Sequence, residues 1–185
     1  MDIKKTANLL LNFAIKRLAE IFGLFVFLLG ALLLVALTTY SPEDPNFIFP
    51  DNVEIKNLLG FQGSFISDLF FQSVGLISYL ISFTFILTGV NIVRIKEFFL
   101  LIENIFFTII YCIFGSLFLS YFYSNAFTLY INGNGGFVGN YINQTFFNSL
   151  IQTHETTFFY VLIILIFSLF LISINFNPFT FYNSF

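Results

Sequence analysis

Tryptophan is absent from this chain, and cysteine, histidine and methionine occur once each. A lone Cys112 can close no internal disulfide, so no covalent staple is expected and the redox compartment stays unread. A lone His154 beside Glu155 falls short of the three or four protein ligands that zinc takes, so a surface-loop role is expected for it. Charge is scarce too, at 9% of residues, against about 25% in soluble domains. The seven basic residues are scattered and the net charge is −3, which excludes the clustered Lys and Arg of a nucleic-acid surface. No cofactor is expected, because nothing in the chain assembles a nucleophile with a base or a set of metal ligands.

Apolar residues take the place of what is missing. They make up 58% of the chain, with 31 Phe and a mean hydropathy of +0.91. AT-rich coding favours Phe and Ile, so the Phe count needs no dedicated aromatic role. Four apolar runs occupy approximately 21–39, 74–93, 98–121 and 157–174. Each matches the ~20 residues that cross a hydrocarbon core about 30 Å thick. Their only formal charge is Glu103, and none contains proline. The fold class expected is all-α: a polytopic membrane protein with four transmembrane helices and short surface helices on its outer side. Tyr40, Tyr121, Tyr123 and Tyr160 lie near run ends, where amphipathic rings anchor at the interface.

Lys4, Lys5, Lys16 and Arg17 precede the first run, and Arg94 and Lys96 occupy the short link between the second and third. Basic residues are retained in the cytoplasm during insertion. Both termini are therefore expected in the cytoplasm, with loops 41–73 and 122–156 outside and residues 176–185 as a cytoplasmic tail. No small-x-small cleavage pattern follows the first run, so it reads as an uncleaved signal anchor. Segment 1–20 carries Ile3, Leu10, Phe13, Ala14 and Leu18 at helical spacing. It suits a cytoplasmic amphipathic helix lying in the interface, or an inward extension of the first span; both readings stay open.

Prolines 42 and 45 end the first span, and residues 55–72 read as a surface helix leading into the second. A glycine-rich turn at 133–139 is followed by a second surface helix over 141–151. Glu43, Asp44, Asp51 and Glu54 could gather calcium only with a spacing no known loop uses, so a solvated acidic loop is expected. Within the bilayer, small residues allow close helix packing. Gly23 and Gly30 share a face of the first helix, Gly75, Ser78 and Ser82 form a stripe on the second, and Cys112, Ser116 and Ser120 recur on the third. Helices one to three are thus expected to pack tightly, with the fourth more exposed to lipid. Glu103 is expected to form an interfacial ion pair with Lys96, or with Lys16 or Arg17, and Glu20 with Lys16 or Arg17.

Several segments then fall into a recognisable order. Arg17-Leu18-Ala19-Glu20-Ile21-Phe22-Gly23 enters the first span, and Thr39-Tyr40-Ser41-Pro42-Glu43-Asp44-Pro45 leaves it. Asn57-Leu58-Leu59-Gly60-Phe61-Gln62-Gly63-Ser64-Phe65-Ile66-Ser67-Asp68-Leu69, Gly75-Leu76-Ile77-Ser78-Tyr79 and Gly135-Gly136-Phe137-Val138-Gly139 follow. In that order the chain resembles the N-terminal four-helix membrane domain of bacterial FtsK/SpoIIIE-type DNA translocases.

The resemblance implies an inner-membrane anchor of a cell-division protein that localises to the septum, contacts other division proteins and supports chromosome partition. Asp68, in a segment that carries the resemblance, is expected to cap or anchor the outer surface helix or to contact a partner protein, and Gly135, Gly136 and Gly139 are further loop candidates for partner contact. The resemblance also implies further copies of the chain or a separately encoded ATPase motor as partners, besides the lipid bilayer. Gly-x-x-x-x-Gly-Lys-Ser/Thr, the loop that holds nucleotide phosphates, is absent from these 185 residues. No DNA binding or pumping is expected of this stretch, and it is expected not to be an enzyme. The competing reading is a small transporter or channel subunit, which would call for polar groups near mid-membrane. From sequence, those groups look like isolated Ser, Thr and Cys.

Overall fold

In a computed structural model, residues 3–45, 54–124 and 132–176 are described, with residues 3–6 described by backbone alone. Seven α-helices follow in order among them: α1 (Ile3–Thr38), α2 (Gly60–Val74), α3 (Ser78–Ile95), α4 (Phe99–Phe122), α5 (Gly136–Asn143), α6 (Phe146–Thr153) and α7 (Glu155–Ser173). A single 3₁₀ turn, Gly75–Ile77, joins α2 to α3. No strand occurs among the described residues. Phe and Ile are only middling helix formers in water. In lipid, however, every backbone N–H and C=O must find an internal partner, and a helix supplies one within the segment. Four helical stretches are long and apolar enough to cross a membrane: 7–38, 60–95 (α2 and α3 together), 99–122 and 155–173.

Segment 3–20 continues as helix without a break into the first apolar run, making α1 36 residues long. At 1.5 Å per residue that is about 54 Å, well beyond a hydrocarbon core. The second long loop also departs from expectation. A single helix over 141–151 is replaced by α5 and α6, which are separated at Gln144–Thr145. The Thr145 hydroxyl caps α6 by accepting from the Phe147 N–H at 3.5 Å.

The bundle is built from two pairs. α1 lies against α3, and α4 against α7, while α3 and α4 meet less extensively. This corrects the expectation that helices one to three form one tight group: the third span takes the fourth as its main partner. α7 is still the least buried of the four. Tyr111 and Cys112 of α4, Ile77 and Ile81 at the start of the second span, and Leu162 and Ile166 of α7 form the larger buried cluster. A second cluster, Ala19, Val26, Ile92 and Leu100, closes the other end of the α1–α3 pair.

Candidate functional site

α1 and α3 cross through glycine. A Cβ on Gly23 would meet the Gly89 carbonyl oxygen at 2.8 Å, and one on Gly30 would meet the Ile86 amide nitrogen at 2.7 Å. Such contacts bring two backbones together where a larger side chain would hold them apart. Ser82 joins this crossing, because its carbonyl oxygen also faces Gly30. Below it, Glu20 binds two cations at once: Arg17 Nη1 at 2.5 Å and Lys96 Nζ at 2.7 Å. The α3–α4 link is thereby tied to α1. Lys96 is not the partner of Glu103, contrary to expectation, because α3 ends beside α1 and delivers Lys96 to Glu20. Lys16 and Arg94 are exposed.

At the opposite end, small residues from four elements converge. The Gly75 backbone has φ +69°, and a Cβ there would meet the Asn134 carbonyl oxygen at 1.9 Å. The Leu76 N–H donates to that same oxygen at 2.9 Å. Gly136, at φ +64°, faces the Ser73 carbonyl, while Gly135 and Gly139 face the Ser116 carbonyl of α4. Ser116 Oγ donates to the Val74 carbonyl at 2.9 Å, and Ser120 Oγ donates to Asn140 Oδ1 at 2.7 Å. Ser78 Oγ closes the 3₁₀ turn on the Gly75 carbonyl at 2.7 Å. Asn134 is buried and donates to the Tyr123 carbonyl. Gly135, Gly136 and Gly139, expected as outward contacts, are therefore buried. A surface loop needs no such glycines, whereas a backbone-to-backbone junction does.

The first loop is held in a similar way. The Asp44 carboxylate is 1% exposed and accepts the Lys56 and Asn57 N–H groups, each at 2.9 Å. Asn57 Nδ2 in turn donates to the Ala36 carbonyl at 2.9 Å, near the end of α1. Tyr40 Oη donates to Asp68 Oδ1 at 3.1 Å, so Asp68 is half-buried and fastens α2 to the first span. Lys56 Nζ sits 2.5 Å from Glu43 Oε2. This bond holds the Glu43 carboxyl below its ordinary value and raises the Lys56 ammonium above its own. Among the described residues no three His, Cys, Asp or Glu gather as metal ligands. Asp51 lies outside the described residues.

A fourth feature was missed from the sequence. Inside the bundle, Thr84 Oγ1 lies 2.9 Å from Tyr111 Oη and 3.3 Å from Ser173 Oγ. Asn104 Nδ2 donates to Thr88 Oγ1 at 2.8 Å, and Asn175 Nδ2 donates to Asn104 Oδ1 at 2.7 Å. Asn91 Nδ2 reaches the Ile174 carbonyl at 2.8 Å. The mid-span polar groups are thus not isolated but form a seam that ties the end of α7 to α3 and α4. The available signal was two asparagines, Asn91 and Asn104, inside runs otherwise free of amides. His154 is exposed beside Glu155 at the start of α7, and Cys112 is buried in the core.

Glycine crossings, a glycine-rich junction and a clasped first loop use the motifs on which the resemblance rests. The family described as the 4TM region of DNA translocase FtsK/SpoIIIE matches residues 15–182. The chain belongs to this family. Two curated relatives are similar over part of this FtsK/SpoIIIE 4TM domain. The DNA translocase FtsK of Rhizobium meliloti (strain 1021) is 32% identical over 78 residues, 42% of this chain and 9% of that protein. The DNA translocase FtsK of Caulobacter vibrioides (strain ATCC 19089 / CIP 103742 / CB 15) is 38% identical over 69 residues, 37% of this chain and 8% of that protein. The matched stretch is thus under a tenth of each relative's length. No solved structure matches. The domain is a multi-pass membrane protein of the FtsK type, with its helices in contact with lipid.

Proposed function

We propose that this domain anchors an FtsK-like translocase in the bacterial inner membrane at the division septum. It does so through contacts with division proteins, with both termini in the cytoplasm and no catalytic step of its own. The observation that carries this reading is the family match over residues 15–182. Supporting it, the buried polar side chains of the outer junction, the first-loop clasp and the inner seam serve to hold helices together. Six of the seven cations lie before the first span or in the α3–α4 link, which supports a cytoplasmic placement of both.

A fluorescent fusion of the full chain, viewed in dividing cells, tests the reading. A band at mid-cell with division proteins recovered after crosslinking is the expected result. Uniform membrane fluorescence, with repeated recovery of none, would sink it. Reporter tags at Met1 and Phe185 test the orientation, and tags on opposite faces would refute it. A transporter or channel subunit remains the second reading, favoured only by the seam of Thr84, Thr88, Asn104 and Asn175. Reproducible solute or ion flux in proteoliposomes would favour that reading instead.

A further inference from the structure

Glu103 is the one charged residue within the four apolar runs, and the structure leaves its carboxylate without a partner. No ion pair or hydrogen bond reaches it among the described residues. Lys96 and Arg17 are both bound to Glu20, and Lys56 is bound to Glu43 on the outer loop. Glu103 is exposed, and it shares one side of α4 with Phe99, Ile102 and Phe106. Phe99 is 79% exposed, Ile102 66% and Phe106 59%, so this side is turned away from the bundle.

Depth makes the carboxylate costly. Its neighbour Asn104 bonds to Thr88. Thr88 lies six residues along α3 from Arg94, or about 9 Å at 1.5 Å per residue. Glu103 therefore stands above the level of the inner basic residues, on a face otherwise made for lipid. A carboxylate in that position is expensive unless something of opposite charge meets it.

We propose that this face of α4 docks a transmembrane helix of another protein, one that brings a Lys or Arg to the depth of Glu103. Charge selects the occupant. Acyl chains would satisfy Phe99, Ile102 and Phe106 but offer Glu103 no cation. A second copy of this chain would have to supply Arg94, which lies about 7–8 Å nearer the inner surface, or Lys16, Lys5 or Lys4, which lie beyond the Glu20–Lys96 pair. The inference requires only that the four helices span a bilayer, so it stands or falls apart from septal localisation.

Photocrosslinking in native membranes tests it, with p-benzoylphenylalanine replacing Ile102 in the full chain. The same reagent replacing Ile164 of α7, which is 64% exposed, is the control. Position 102 should capture a transmembrane peptide with a Lys or Arg within about one turn of the crosslink. Glu103→Gln should lower the yield about tenfold, the scale of one lost charge-assisted bond, while Glu103→Asp retains it. Glu103→Lys should abolish capture, and exchanging the partner's cation for Glu should restore it. Capture of lipid alone, of a second copy, or of a peptide whose yield ignores Glu103→Gln would overturn the proposal. So would capture of the same peptide from position 164.

Discussion

Gly139 of α5 rests directly on the backbone of α4: a Cβ there would stand 2.2 Å from the Ser116 carbonyl oxygen. The same peptide region of α4 also engages the second span, through the Ser116 hydroxyl and the Val74 carbonyl. Ser116 thus joins α5, α4 and the turn between α2 and α3, and this end of the two helix pairs is fastened there.

Three glycine substitutions should separate close packing from backbone strain. Gly133 has φ +68° but open space around it, so Gly133→Ala carries only the left-handed penalty of about 1–2 kcal/mol. Gly139 lacks that φ but is crowded, and overpacking costs about 1–3 kcal/mol. Gly75 combines both, with its Cβ position 1.9 Å from an oxygen. The thermal midpoint in detergent should fall furthest for Gly75→Ala, and more for that variant than for the other two. Equal losses at all three positions would refute the junction.

Asp44→Asn should destabilise the first loop by about 2 kcal/mol, the cost of leaving a buried donor unsatisfied. The carboxylate accepts two backbone N–H groups, and an amide can turn only one oxygen toward them. Protease sensitivity between α1 and α2 and the thermal midpoint report the change. An Asp44→Asn chain indistinguishable from the parent would count against the clasp.

The polar seam predicts coupling between residues 16 positions apart. A double-mutant cycle of Thr88→Val with Asn104→Leu should return about 0.6 kcal/mol and no more than about 1.7, the average and the maximum of such cycles between membrane helices. Purely additive losses would mean that the two side chains do not act together.

The Glu43–Lys56 pair predicts a pH effect. The Glu43 pKa is lowered in the folded chain by the Lys56 bond. Its contribution is therefore complete above the ordinary carboxylate value and is lost as pH falls through the lowered one. Lys56 is raised, so its share is present below the ordinary lysine value and fades as pH rises through the higher folded one. The difference in thermal midpoint between the parent and Glu43→Gln should shrink toward acid. Both groups are solvent-exposed, so added salt should shrink it as well.

The number of membrane-length apolar helices and the all-helical class were legible in residue type alone. Hydrocarbon demands long uncharged runs and internal backbone bonds, a local requirement that any stretch of sequence either meets or fails. The Arg17–Glu20 pair was equally readable, since residues three apart on a helix are neighbours whatever surrounds them. The small residues could be named as contact-makers but not assigned to partners. Gly23 was visible, yet nothing in its own helix says that Gly89 lies opposite. The pairing of α4 with α7, the burial of Gly135, Gly136 and Gly139, the capture of Lys96 by Glu20 and the seam through Asn104 all join residues distant in sequence. Lipid is indifferent to which apolar helix touches which, so those pairings come from the fit of backbones and a few side-chain hydrogen bonds once the helices have met.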